Sequence, residues 1–178
     1  MLKRERKEYE KKLSEKYGPK EVDQKFLKSR KLYFGKFDAL LDGTTEGNRW
    51  LAIPKVADLV TESIRYRDGK EYDLFAYCVM PNHVHLLIRL LDLSEKVSRR
   101  GSSRYLLANV LENLKWYTAL KANKILSRSG AFWQHESYDH VVRDDVELER
   151  IVRYILNNPV KAGLVRDWDS WKWSNCKW

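Results

Sequence analysis

The sequence predicts an α+β sandwich, in which helices pack on a sheet whose neighbouring strands run antiparallel. Two observations carry this. Stretches with helical apolar spacing intermix along the 178 residues with runs rich in aromatic and β-branched side chains. The two best strand candidates, residues 72–79 and 83–88, are joined only by Met80-Pro81-Asn82, a connection suited to a hairpin. The length is that of one ordinary domain, able to bury a core, and no internal repeat is visible.

Taken in order, residues 1–30 are rich in Lys, Arg and Glu and are broken by Gly18-Pro19. They carry little apolar stripe and read as one or two solvated helices, separate from residues 31–178. Residues 34–47 hold Gly35, Gly43 and Gly47 as turn signals. Pro54 suits a first helical turn, and Val56, Leu59, Val60 and Ile64 recur at helical spacing, so a helix is expected over 56–66, ended by Asp68-Gly69. The strand pair follows, with Pro81 at the mouth of the second strand, where its missing N–H costs no ladder bond. A polar linker over 94–103 carries Arg99-Arg100-Gly101, and a long helix is expected over 104–126, stopped by Ser127-Arg128-Ser129-Gly130. Residues 132–143 read as another strand or extended hairpin. Asp144 with Glu147 three residues on forms a capping-box-like start for a helix through Asn158, stopped by Pro159. The Trp-rich tail over 168–173 packs or pairs at a place the sequence leaves open.

Hydrophobic residues make up 43% of the chain, which excludes a disordered tail. No run approaches the roughly 18 apolar residues of a membrane span. The basic start, Met1 to Arg6, has no apolar run behind it, so a secretory signal is not expected and a cytoplasmic protein is. Cys78 and Cys176 are far apart and read as reduced thiols. Thirty-four Lys and Arg against 25 Asp and Glu leave a formal +9. That surplus favours a polyanionic partner, nucleic acid being the usual one, although a merely soluble basic protein has the same charge. Seven Trp and ten Tyr add faces on which unpaired bases can stack, while most such rings serve packing.

His83 and His85 are the first candidates for chemistry. Side chains at i and i+2 of a strand project from one face, so both imidazoles point the same way while Val84 and Leu86 point to the other. Two histidines on a rigid strand can present nitrogens to one cation, but a third ligand must come from elsewhere. On pattern alone, two histidines with ordinary hydrogen bonds are the commoner outcome. On the last helix Leu148, Ile151, Val152, Ile155 and Leu156 form an apolar stripe. Tyr154 lies off it, with Asn158 one turn on and on Tyr154's face. A boundary tyrosine beside a helix-ending asparagine accounts for the same pattern.

The run from Tyr77 through Cys78, Val79, Met80, Pro81, Asn82, His83, Val84 and His85 to Leu87 is similar to the His-hydrophobe-His strand of the REP-associated tyrosine transposases, single-tyrosine HUH enzymes of the IS200-like kind. Phe132-Trp133-Gln134, the segment from Tyr138 to Asp144, the segment from Tyr154 to Val165 and the closing Trp-rich segment from Asp167 to Ser174 follow in that family's order. The resemblance covers about residues 31–175. It implies a ferredoxin-like α+β nuclease domain over 31–178, with His83, His85 and Asn158 holding Mg²⁺ or Mn²⁺ and Tyr154 as nucleophile. It implies attack by the phenol on single-stranded hairpin DNA, leaving a 5′-phosphotyrosine and a free 3′-OH, in DNA transposition. Tyr117, followed one turn on by the cation Lys121, and Tyr138 are the rival nucleophiles.

Lys121, Lys124 and Arg128 share one helix face and suit phosphate tracking, or are simply solvated. Arg99, Arg100 and Arg104 form a second basic cluster. In one respect the chain departs from the family pattern. Longer members begin with an aromatic, Thr/Arg-containing strand, whereas this chain opens in Lys3-Arg4-Glu5-Arg6-Lys7. Either the true start lies upstream or the first strand has been lost; its loss would bare a sheet edge that could drive homodimerisation, with a monomer left equally open. It also keeps open a second function, a domesticated relative that binds hairpin DNA or RNA without cutting. A metallohydrolase unrelated to DNA would rest on the His pair alone.

Overall fold

Pro54 opens α1 (Pro54–Arg67) one residue after Ile53, whose extended backbone suits the position before proline. Its Val56, Ala57, Val60 and Ile64 are fully buried, as their helical spacing predicts. These observations come from a computed structural model, which describes residues 8, 9, 11, 12, 15, 48–91, 103–135 and 137–177, the side chains of 103 and 104 excepted. The chain divides into two units. In the first, residues 8, 9, 11, 12 and 15 are helical and residues 137–142 are irregular. The second comprises the described residues of 48–135 and 143–177. The remainder of the expected charged segment, the boundary at 30/31, the first strand, Arg99 and Arg100 lie outside the described residues.

After a turn at Gly69, which adopts a φ of 72° that few other residues tolerate, β1 (Tyr72–Val79) pairs antiparallel with β2 (Val84–Leu90). β2 begins one residue later than predicted and ends two later. A bulge at Phe75 shifts the register between Leu74 and Ala76. Tyr72, Leu74, Tyr77 and Val79 therefore join one core, together with Val84, Leu86 and Ile88. Cys78, opposite His85, is turned to the other face. α2 (Ser103–Ile125) adds Val110, Leu114 and Ala122 to the first core, beside α1.

α3 (Asp145–Lys161) packs on the opposite face, against all three strands. Asp144 caps it as expected, its carboxylate accepting from the Glu147 N–H at 2.7 Å, while the Glu147 carboxylate reaches one residue past the cap to accept from the Arg143 N–H at 3.3 Å. The tail supplies β3 (Ser174–Cys176), which pairs with β1 to give the antiparallel order β2-β1-β3. Trp171 donates to the Val79 carbonyl at 3.0 Å and Trp173 to Asp58 at 2.9 Å, which fixes the tail on the sheet. The predicted α+β class with antiparallel neighbours holds. No helix among the described residues is long and apolar enough to cross a membrane.

Two expectations need correction. The described residues of 132–143 form no strand. Nearby carbonyls are taken by side chains of the preceding segment instead: Asn123 donates to Gly130 at 2.8 Å, Arg128 to Ala131 at 3.2 Å and Lys115 to Gln134 at 2.9 Å. The aromatic pair that suggested a strand packs sideways, Phe132 stacked on Trp50 and Trp133 donating to Thr118 Oγ1 at 2.8 Å. Nor does Pro159 stop α3, which runs on to Lys161. Proline forfeits one bond to the preceding turn, but the bonds after it close normally. Gly163, at a φ of 67°, donates to the Val160 carbonyl and Leu164 to the Pro159 carbonyl, both at 2.9 Å, a Schellman ending.

Candidate active site

The turn between β1 and β2 closes when the Met80 N–H donates to the His83 carbonyl at 2.9 Å. That places His83 just before β2 and His85 within it, each 8% exposed. Their Nε2 atoms stand 2.9 Å apart. His83 Nδ1 donates to Asn82 Oδ1 at 2.8 Å, which leaves the lone pair of a neutral ring on Nε2. Burial, with the neighbouring His83 and Lys161 charges adding to it, pushes the His85 pKa down to about 3. At neutral pH this ring is uncharged, the form that binds metals.

α3 brings Tyr154 to this pair, with Asn158 one turn further along the helix. The Tyr154 ring meets His85 edge to face, centroids 5.8 Å apart. Asn158, one turn on, is 1% exposed, and neither its Oδ1 nor its Nδ2 has a partner among the described residues. A buried carboxamide left so is costly and calls for a ligand.

These residues fit a divalent cation. Two nitrogens bound at about 2.1 Å on adjacent corners of an octahedron lie about 3 Å apart, which the His pair matches. No group of three His, Cys, Asp or Glu that could hold a metal occurs among the described residues, so a third ligand drawn from those residues would be of another type. The unpaired carboxamide oxygen of Asn158 is such a donor and suits a hard cation.

The other described candidates of this unit lie elsewhere. Tyr117 sits between Arg67 and Lys121, whose charges are 5.8 and 5.9 Å from its ring, in the helical layer on the far side of the sheet. A nearby cation does not by itself demote it, because Lys161 is equally close to Tyr154. Position does. Tyr138 belongs to the first unit. Lys121 and Lys124 are exposed and line a cavity of about 540 Å³ with Arg128. Arg128 is committed to structure: its guanidinium lies 3.8 Å over the Trp50 ring and bonds Asn123 at 2.5 Å. Arg104 stands in the first turn of α2, its side chain outside the described set.

Sequence reasoning missed Asn82 and Lys161. Asn82 was visible as the residue before His83 and lacked only a reason to look at Nδ1. Lys161 was hidden by ending the helix at Pro159.

Comparisons with known proteins point one way. Residues 54–158 match the family described as "Transposase IS200 like". A protein of Haemophilus influenzae assigned to the REP-associated tyrosine transposases is 30% identical over 105 residues, covering 58% of this chain and 58% of the relative. The match thus spans little more than half of that relative's length. No solved structure matches.

Proposed function

The chain belongs to the IS200-like transposase family, and on that premise we propose that it cuts and rejoins single-stranded hairpin DNA through Tyr154 in DNA transposition. The observation that carries the proposal is the convergence of His83, His85 and Tyr154, from two separate elements, at one face of the sheet. In this reading His83, His85 and Asn158 hold Mg²⁺ or Mn²⁺, which when bound polarises the scissile phosphate. The chain's own groups do the rest. Asn82 orients His83, burial keeps His85 neutral, and α3 aims the Tyr154 phenol. Its oxygen attacks phosphorus, the bond to the 3′-oxygen breaks, and a 5′-phosphotyrosine and a 3′-OH result. The phosphotyrosine retains the bond energy, so the same site can rejoin ends without a nucleotide cofactor. Lys121 and Lys124, with the Arg99, Arg100 and Arg104 cluster, supply positive charge for the DNA path. The place of action is the cytoplasm, at the nucleoid.

The test is incubation of the protein with end-labelled hairpin DNA and Mn²⁺, run on denaturing and native gels. A covalent protein–DNA adduct is the predicted result. A native shift with no adduct would replace the proposal by hairpin binding without chemistry, and neither signal would remove DNA from the account.

A further inference from the structure

Because α3 continues past Pro159, Tyr154, Asn158 and Lys161 stand at i, i+4 and i+7. At about 100° per residue these positions fall within about 60° of one another on the helix. The Lys161 ammonium lies 5.8 Å from the centre of the Tyr154 ring, at the outer range of cation–ring attraction. One exposed cation thus stands beside the candidate nucleophile, on the helix face that also carries Asn158. The family match ends at Asn158, three residues short of it.

We propose that Lys161 is a further catalytic residue, which holds the scissile phosphate against Tyr154 and offsets the negative charge that builds as the phenol attacks. This rests on the reading of Tyr154 as nucleophile. In the step, the bond from the phenol oxygen to phosphorus forms and the bond from phosphorus to the 3′-oxygen breaks. The phenol proton is lost and the leaving 3′-oxygen takes one up. Lys161 neither gives nor takes a proton: it stays an ammonium, donating to a non-bridging phosphate oxygen. Placed electrostatic donors of this type are among the larger contributions to phosphoryl transfer, on the order of 10²–10³ in rate each. A cation in the last turn also complements the helix dipole, which is the purely structural account of Lys161. That account places no demand on which face the side chain occupies. It predicts an effect on stability and none on the phosphate.

Neutralising the phosphate tells the two apart. Hairpin DNA would be prepared with either the natural phosphate or an uncharged methylphosphonate at the mapped cleavage position. Binding would be measured in the Tyr154→Phe background, where no turnover occurs. Lys161→Gln should weaken binding of the natural hairpin by about tenfold, the scale of one charge-assisted contact, and leave the methylphosphonate hairpin unchanged. Lys161→Arg should keep the discrimination. In the otherwise native chain Lys161→Gln should slow adduct formation about 10²-fold or more, with an unchanged melting temperature. Equal weakening of both hairpins, or of neither, would overturn the role of Lys161 while leaving Tyr154 as nucleophile. Adducts surviving in Tyr154→Phe would overturn the site reading and this role together. A lowered melting temperature with unchanged phosphate discrimination would return Lys161 to the helix dipole.

Discussion

His85 and Tyr154 meet edge to face, ring centroids 5.8 Å apart and planes 80° apart, so that a strand residue and a helix residue far apart in sequence share one boundary of the sheet. The contact is a packing contact as well as part of the proposed site. Removing the Tyr154 hydroxyl alone leaves it in place, whereas removing the ring does not. Substitutions at this site therefore have to be chosen to separate chemistry from packing.

His83→Ala and His85→Ala should each abolish Mn²⁺ binding and cleavage together, because the two nitrogens 2.9 Å apart act as one pair. Titration of metal-free protein with Mn²⁺, read by calorimetry, gives the first quantity and gels the second. Mn²⁺-stimulated cleavage retained in either variant would contradict the metal-pair reading.

Asn82→Ala should lower Mn²⁺ affinity about 10–100-fold while the His ligands remain, since it removes the acceptor at 2.8 Å that sets the His83 ring. The same titration measures it. Wild-type affinity would mean that the turn holds His83 without help.

His85 also predicts a pH dependence in metal-free protein. Its folded pKa, about 3, lies below the ordinary 6.5, so the unfolded chain binds its proton first as the pH falls. The stabilisation is whole above pH 6.5 and drains away between 6.5 and about 3, by about 1.4 kcal/mol per pH unit for this one group. Urea unfolding in EDTA at pH 7, 6 and 5 should show a steeper loss for wild type than for His85→Gln. Parallel curves would assign the acid sensitivity to other groups.

Much of this was legible in the residues. The periodicity of Val56, Val60 and Ile64, the aromatic run over 72–79 and the Asp144/Glu147 cap each report a local rule that tertiary contacts then reinforce. The pair His83/His85 was readable for the same reason, as alternation fixes the face. What failed depended on partners outside the segment being read. Phe132 and Trp133 look like strand residues until Trp50 and Thr118 are known to receive them. Pro159 looks like a stop until the Gly163 ending closes the turn beyond it. The pairing of β3 with β1 rests on Trp171 and Trp173 reaching partners far back in the chain, which no local window contains.

The basic cluster on α2 and just past its end divides into two kinds of residue, because the helix stops at Ile125, short of Arg128. Lys121 and Lys124 are exposed, while Arg128 is bound to Asn123, Ala131 and Trp50. Gln in place of Lys121 and Lys124 should lower the slope of log affinity against log salt by about 0.7 per residue for single strands, alike for hairpins of different flanking sequence. Arg128→Gln should instead lower the melting temperature. Anisotropy across salt concentrations and thermal unfolding check the two halves. An unchanged slope would move the DNA path toward Arg99, Arg100 and Arg104.

The most direct measurement is the position of the covalent bond itself. After reaction with hairpin DNA and Mn²⁺, the protein would be digested with nuclease and protease and the modified peptide sequenced by mass spectrometry. The nucleotide should be found on Tyr154, and Tyr154→Phe should bind the hairpin with near-native affinity yet form no adduct. A nucleotide on Tyr117 or Tyr138, or an undiminished adduct in Tyr154→Phe, would contradict the site described above.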